Sequence, residues 1–274
     1  MVQEAATLKG RTIVVTRPWG QAEEAGKSIA KKGGKPYLFP TIEIKSSRSL
    51  SATKTFIEAL ARGEVDYVIF MSINGVKYLL SAAESLELNS QLEECLEKTA
   101  TVAVGPKTAQ ELRKHQIHVD VIPSKYTSEG IIESLQQRHV SGKAIWIPRT
   151  KQASPMLAER LQAMGNYVQE VYVYESQLPV DQELTAQFLK DLVGGQIHAI
   201  IFSSSLGVRN LFHMLAGQVS AEALREMLRR LTIVAIGPTT AETLAEMGLR
   251  VDVMPEAHLF EEALNALARY WDAN

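Results

Sequence analysis

Segments rich in hydroxyl and amide groups are the part of this sequence best suited to chemistry. Six of them follow short apolar runs: TRPWG (16–20), MSINGV (71–76), VGPKTA (104–109), IPRTKQ (147–152), SSSLGV (203–208) and IGPTTA (236–241). Two of the six contain an arginine, Arg17 or Arg149. Helix N-termini, hydroxyls and guanidinium groups all bind anions. These residue types therefore favour an anion-binding site.

The same segments also allow a purely structural interpretation. Thr108 with Glu111, and Thr239 with Glu242, fit a Thr-x-x-Glu capping box at the start of a helix. TSEGIIESL (127–135) contains another helix start, with Thr127 or Ser128 as its cap. Helix caps are common, so capping alone does not establish a ligand site.

A long internal repeat indicates which elements position these segments. Residues 104–123 and 236–255 have nearly the same sequence, at an offset of 132 positions. Further matches in the same register join residues 66–80 to 198–212, and 11–19 to 143–151. A period of this length indicates a duplicated domain-sized unit, with copies at about 11–135 and 143–267.

Strand-like and helix-like segments alternate within each copy. Short β-branched runs predict strands at 12–16, 67–71, 101–105, 119–122, 144–148, 199–203, 232–237 and 251–254. Helical spacing in 23–34 and 153–165 ends at Gly33 and Gly165. The pattern predicts an α/β fold with a doubly wound, flavodoxin-like parallel sheet in each domain. YLFPTIEI (37–44) and QEVYVYES (169–176) either complete their own sheets or cross between the domains, and periodicity leaves both options open.

Composition and motifs exclude several functional classes. The formal net charge is −2, so we expect no nucleic-acid partner and no attraction to a membrane surface. We expect no membrane span, no metal and no cofactor, because the sequence has no long apolar stretch, no metal-ligand spacing among its six histidines and no nucleotide-binding motif. The single cysteine, Cys95, and the lack of an apolar signal region favour the cytoplasm.

The order of the segments resembles the uroporphyrinogen-III synthase family over nearly the whole chain. The residues that carry the resemblance are VVTRP (14–18), IFMSINGV (69–76), VGPKTA (104–109), YTSEGIIESL (126–135), VYVYES (171–176), IFSSSLGV (201–208) and IGPTTAETLAEMGLRVDV (236–253). The resemblance implies a lyase of tetrapyrrole biosynthesis. Its members close linear hydroxymethylbilane into uroporphyrinogen III, with loss of water and inversion of ring D, and need no cofactor.

The resemblance also implies a domain arrangement. Residues 1–36 and 177–274 would form one α/β domain, and 45–168 the other. The segments 37–44 and 169–176 would be the two strands of a linker. The protein would act as a monomer, with a linear tetrapyrrole as substrate and only transient contacts to neighbouring pathway enzymes.

Individual site residues follow from the same resemblance. Tyr174 is similar to the family's proposed acid-helper tyrosine, and Tyr172 is its rival because residues two apart share a strand face. Ten residues are expected to bind substrate: Arg17, Ser72, Asn74, Thr108, Thr127, Ser128, Arg149, Ser204, Ser205 and Thr239. RTKQASPML (149–157) departs from the family pattern, because it lacks the glycine-rich stretch that often follows the arginine in relatives.

A non-catalytic function remains an alternative. Two similar α/β domains also occur in proteins that bind or sense a small anion without converting it. Product formation would distinguish the two, since a binder would show only ligand-induced stabilisation.

Overall fold

The chain folds into two compact units. The structure is a computed structural model, and it describes residues 7–47 and 49–273. The first unit contains the chain up to Glu43 and again from Gln177 onward, and the second unit is continuous from Ile44 to Ser176. Residues 37–43 thus group with the first unit and 169–176 with the second. A linker role for these two segments stays a prediction.

Strands and helices alternate along the described chain. The strands are β1 (Thr12–Val15), β2 (Lys35–Leu38), β3 (Glu43–Ser46), β4 (Tyr67–Phe70), β5 (Ala100–Ala103), β6 (Ala144–Thr150), β7 (Tyr167–Gln177), β8 (Ala199–Phe202) and β9 (Thr232–Ala235). The helices are α1 (Trp19–Lys31), α2 (Ser51–Ala61), α3 (Ile73–Ser85), α4 (Asn89–Leu96), α5 (Pro106–Lys114), α6 (Ser128–Gln137), α7 (Met156–Ala163), α8 (Gln182–Val193), α9 (Ser205–Leu215), α10 (Ala221–Leu228), α11 (Pro238–Glu246) and α12 (Phe260–Ala273). No helix in the described part of the chain is long and apolar enough to cross a membrane.

Four strands of each sheet have the same order once the sequence offset is applied, and the second sheet has β3 as an additional edge strand. The first sheet runs β2-β1-β8-β9, and the second runs β3-β7-β6-β4-β5. One further residue pairs in parallel beside the last strand of each sheet: Val253 beside Val234, and Val121 beside Val102. The predicted strands at 119–122 and 251–254 are thus reduced to one bridging residue each. The predicted α/β fold with parallel sheets is confirmed.

The boundaries of the sequence repeats do not coincide with the boundaries of the structural units. β1, from the first repeat, pairs in parallel with β8, from the second repeat, through Ile13 and Ala199. The second unit takes β4 and β5 from the first repeat and β6 and β7 from the start of the second. Each sheet is therefore assembled from both copies of the repeat.

Continuous apolar strands are buried on both faces, as expected for parallel sheets. In β1, Val14 packs into one apolar cluster, whereas Ile13 and Val15 pack into another on the opposite face. Gly33 and Gly165 follow α1 and α7 with φ angles of 76° and 85°. This left-handed conformation favours glycine and ends a helix. These helix ends direct the chain into β2 and β7, and so fix the strands that carry the candidate site.

Candidate functional site

Two serines begin equivalent helices at the carboxyl ends of β4 and β8. Ser72 Oγ accepts a hydrogen bond from the Gly75 amide at 3.0 Å, and Ser204 Oγ accepts one from the Gly207 amide at 3.1 Å. Both serines are therefore N-caps. A Cβ on Gly75 would lie 2.8 Å from the backbone oxygen of Pro148, so only glycine lets α3 approach β6 this closely.

Tyr174 lies beside the serine cap of the second unit. Its hydroxyl is 3.3 Å from Ser72 Oγ, and its ring stacks on Tyr78 with centroids 5.5 Å apart. The Tyr78 hydroxyl donates to the carbonyl of Ile44 at 2.8 Å, which fixes the stacked pair against the start of the unit. Tyr174 is 9% exposed. The structure thus brings together two predicted site residues that are far apart in sequence.

Tyr172 does not share the environment of Tyr174, and the expectation of a common strand face is wrong. The β6–β7 register shifts between Arg149 and Thr150, so Arg149 pairs with Tyr172 but Thr150 pairs with Tyr174. The shift places Tyr174 in the same apolar cluster as Val173, while Tyr172 stays 37% exposed. Strand alternation fails wherever an extra residue enters one strand.

Arg149 is buried and already neutralised. Its Nη1 forms an ion pair with Glu170, and its Nη2 donates to the carbonyl of Ser154 at 2.9 Å. Glu170 also accepts the hydroxyl hydrogen of Tyr172 at 2.9 Å, and this bond raises the pKa of Tyr172. The Arg149 Nε is buried without a hydrogen-bond partner. Arg149 therefore has an internal role, with one donor left over.

Arg17 occupies the equivalent position after β1 but has no ion-pair partner among residues 7–47 and 49–273. Within the same ranges, its Nε is buried without a hydrogen-bond partner. Its Cζ lies 5.5 Å from the ring centroid of Phe260. Burial lowers the pKa of the Arg17 guanidinium, against a smaller opposing effect of Glu24. A half-buried cation of this kind suits a carboxylate supplied from outside.

The two predicted capping boxes are wrong. Proline takes the first helical position of α5 and of α11, so the N-caps are Gly105 and Gly237, and neither helix has a side-chain cap. Thr108 is inside its helix and only 5% exposed, while Thr239 is exposed. Glu111 instead accepts a hydrogen bond from Lys114 at 2.8 Å, which lowers its pKa.

The offset of the repeat identifies a threonine that we missed. The residue equivalent to Thr108 is Thr240, not Thr239, and both are 5% exposed. Thr239 has a different role, because its carbonyl accepts the hydroxyl hydrogen of Ser205 at 3.0 Å. Applying the register strictly to VGPKTA and IGPTTA would have identified Thr240.

The other predicted residues lie at helix starts. Thr127 is the cap of α6 and accepts from the Gly130 amide at 3.1 Å, while Ser128 is the first helical residue. Asn74 is in the first turn of α3 and is half-buried. The structure joins Ser72 with Tyr174 in one unit, and Ser205 with Thr239 in the other.

Sequence reasoning also missed a buried polar chain beside Ser204. Thr16 donates to the carbonyl of Ile201 at 3.0 Å, and Thr41 donates to the carbonyl of Thr16 at 3.1 Å. Asn210 then donates to the carbonyl of Thr41 at 2.6 Å. These bonds hold the strand ends of the first unit together. Asn210 within an otherwise apolar helical face was the only signal in the sequence.

Metal binding has no obvious location in the described part of the chain. No group of three or more His, Cys, Asp or Glu side chains is placed there to hold an ion. Among these residues, the polar groups at the strand ends are hydroxyls, amides and arginines, which suit an organic anion.

The chain is similar to known proteins over most of its length. Residues 23–265 match the family model described as uroporphyrinogen-III synthase HemD. A putative uroporphyrinogen-III synthase from Methanothermobacter thermautotrophicus is 34% identical over 259 residues, covering 93% of this chain and 97% of that protein. The uroporphyrinogen-III synthase of Synechococcus elongatus is 28% identical, with 96% of each chain covered.

Solved structures show the same fold. A mutant uroporphyrinogen III synthase from Thermus thermophilus aligns with a TM-score of 0.64 at 23% identity, over 96% of this chain and all of that one. The enzyme from Helicobacter pylori aligns with a TM-score of 0.61 at 18% identity, over 94% and 99% of the two chains. The family model covers most of the sequence, and this chain belongs to the uroporphyrinogen-III synthase family.

Proposed function

We propose that this chain closes linear hydroxymethylbilane into uroporphyrinogen III, with Tyr174 assisting the loss of the hydroxyl group. The observation that carries the role of Tyr174 is its hydroxyl at 3.3 Å from Ser72 Oγ, at the carboxyl end of a parallel sheet. Ligands of open α/β sheets bind beyond this edge. The chain is a lyase of tetrapyrrole biosynthesis, as its family membership establishes.

The hydrogen bonds around Ser72 leave the tyrosine proton available. Ser72 Oγ already accepts from the Gly75 amide, and its own hydrogen can be donated to the Tyr174 oxygen. The Tyr174 hydroxyl hydrogen can then point to the hydroxymethyl oxygen of the substrate. The C–O bond breaks as the pyrrole nitrogen supplies electrons, and the leaving group departs as water when it takes a proton. Ring D attacks the cation that remains through a spiro intermediate, which permits inversion, and the proton that ring D loses on closure returns to the Tyr174 oxygen.

Carboxylate binding is assigned first to Arg17. It has no ion-pair partner among the described residues, whereas Arg149 is neutralised by Glu170. The remaining binding groups are hydroxyls and amides at helix starts: Ser72, Asn74, Thr108, Thr127, Ser128, Ser204, Ser205 and Thr239. Arg149 ranks second to Arg17, because only its Nε is free of an internal partner. The protein is slightly acidic overall, so local donors rather than its net charge must hold a polycarboxylate.

We further propose that the protein is a cytoplasmic monomer that needs no cofactor and contacts neighbouring pathway enzymes only transiently. The single cysteine and the absence of a long apolar stretch in the sequence support the cytoplasm.

A product assay tests the proposed reaction. Freshly made hydroxymethylbilane is supplied to the purified full chain, the products are oxidised, and the type I and type III isomers are separated by chromatography. Type III in excess of spontaneous type I is the expected result. Type I alone, at the background rate, would contradict the proposal and leave a non-catalytic anion binder.

A further inference from the structure

An aromatic ring lies over a glycine at the start of α5 and again at the start of α11. A Cβ placed on Gly105 would lie 3.2 Å from Tyr126 Cγ, and one on Gly237 would lie 3.7 Å from His258 Cγ. Positions 126 and 258 are equivalent in the repeat. The same packing is therefore made by a tyrosine in the second unit and by a histidine in the first.

The packing does not explain why the first unit carries an imidazole. Tyr126 covers its glycine while 61% exposed, so a tyrosine satisfies this geometry. His258 is also exposed, and it forms no hydrogen bond or ion pair with any residue of 7–47 or 49–273. Its two ring nitrogens remain open to a ligand.

The segment that carries His258 also contacts the unneutralised arginine. Phe260, two residues later, places its ring 5.5 Å from the Cζ of Arg17. Residues two apart in a chain have Cα atoms within about 7 Å of each other. Arg17 follows β1 and Gly237, which lies under His258, follows β9, so both lie at the carboxyl edge of the first sheet.

We propose that His258 is a further substrate-contacting residue, which binds a carboxylate of the tetrapyrrole beside the carboxylate held by Arg17. The inference rests on the proposed function, because that function supplies the polycarboxylate substrate. Packing against Gly237 holds the imidazole in place, and its free nitrogen donates to the carboxylate. The contact is made equally in the ground state and in the transition state, so it governs KM rather than kcat.

The second unit, which has Tyr126 at the equivalent position, provides the substitution that tests this proposal. His258→Tyr keeps a ring over Gly237 and removes the imidazole. We expect KM for hydroxymethylbilane to rise about tenfold, as for loss of a hydrogen bond to a charged group, with kcat within about twofold and Tm unchanged. His258→Lys restores a hydrogen-bond donor at this position and should recover most of the loss in KM. Tyr126→Phe is the matched control, and its KM should equal that of the parent chain.

The remaining outcomes also decide whether His258 contacts the substrate. An unchanged KM in His258→Tyr would overturn the inference even if the parent chain forms type III. A fall in Tm together with the rise in KM would assign the ring to packing and also overturn it. If the parent chain forms no type III, the proposed function fails separately. The shift in Tm on adding uroporphyrinogen III then decides the role of His258: a smaller shift in His258→Tyr supports the contact, and an equal shift removes it.

Discussion

The two units carry the same scaffold but differ where chemistry is possible. The position equivalent to Tyr174 is Ile42, and both residues are 9% exposed. The neighbouring cap is a serine in both units, Ser72 in one and Ser204 in the other. Within the described residues, the cap of the second unit lies beside the tyrosine hydroxyl of Tyr174, whereas the hydroxyls beside Ser204 are those of Thr16 and Thr41, which donate to backbone carbonyls. Duplication kept the groups that begin helices, and the side chain next to them diverged.

The two equivalent arginines also differ, and here the first unit carries the group that is available for chemistry. Arg149 is matched by Glu170 and lies inside the second unit, while Arg17 has no such partner in the described part of the first unit. One unit therefore carries the candidate acid and the other carries the available cation. A duplicated domain can divide two tasks in this way without altering its sheet.

The largest expected effect separates the two strand tyrosines. Tyr174→Phe should lower kcat between about 100- and 1,000-fold, because it removes a positioned proton donor. Tyr172→Phe is the control and should change kcat by less than about threefold, since its hydroxyl donates to Glu170 instead of Ser72. Steady-state rates of type III formation measure both. Equal losses in the two variants would remove the acid role of Tyr174.

The arginine comparison is tested by stability. Arg149→Met should lower the free energy of unfolding by about 3 kcal/mol, at the lower end for a broken buried pair, because Glu170 keeps some contact with water. Arg17→Met should cost less than about 1 kcal/mol, because it breaks no ion pair with a described residue. Urea denaturation of both variants measures this. A larger loss for Arg17→Met would contradict the assigned difference.

The glycines under the two serine-capped helices should also differ. Gly75→Ala should destabilise the chain by about 1–3 kcal/mol, because the new Cβ meets a backbone oxygen at 2.8 Å. Gly207→Ala should cost less than about 1 kcal/mol, since its nearest neighbour is the Thr41 hydroxyl at 3.2 Å, which can move. Thermal unfolding followed by circular dichroism compares the pair. A reversed order would show that α9 is the more tightly held helix.

The smallest expected effect concerns pH, because equivalent amides use different acceptors. The Thr12 amide donates to His198 Nδ1 at 3.1 Å, and the Ala144 amide donates to an Asp66 oxygen at 2.8 Å. Burial lowers the pKa of His198, and the bond to Ala144 lowers the pKa of Asp66. The contribution of His198 is fully present above its unfolded pKa of about 6.5, and it is lost as the pH falls through the lower folded value.

As the pH falls below about 6.5, therefore, the first unit should lose this bond before the second, because the lowered pKa of Asp66 keeps its carboxylate an acceptor. Hydrogen exchange at pH 7 and pH 5, corrected for intrinsic rates, should show reduced protection at Thr12 and unchanged protection at Ala144. His198→Asn should abolish the difference, since its amide oxygen does not titrate. Loss of protection at both amides would indicate general loosening instead.

Much of the fold follows from two regularities of the sequence. The apolar runs predicted the strands because parallel strands are buried on both faces, and the constant offset predicted two similar α/β domains. A cap at Thr127 or Ser128 was predicted, because one side chain and the next turn of backbone suffice to make it, and the structure places the cap at Thr127.

Most of the errors have physical causes that lie outside the local sequence pattern, and the capping boxes are the exception. The register shift beside Arg149 depends on how β7 meets β6, and it separated Tyr172 from Tyr174. The capping boxes failed because Pro106 and Pro238 moved the helix starts to the preceding glycines. The pairing of Arg149 with Glu170 joins two strands, so only the folded sheet distinguishes this arginine from Arg17.

Because the repeats and the structural units have different boundaries, the order of synthesis affects folding on the ribosome. Ile13 in β1 must pair with Ala199 in β8, while the second unit is continuous from Ile44 to Ser176. At usual synthesis rates, β1 waits on the order of ten seconds for that neighbour. The second unit can complete its sheet in the meantime. β1 is thus translated before the second unit but joins a complete sheet only after it. Until then, the edge of β1 that pairs with β8 stays without its neighbouring strand.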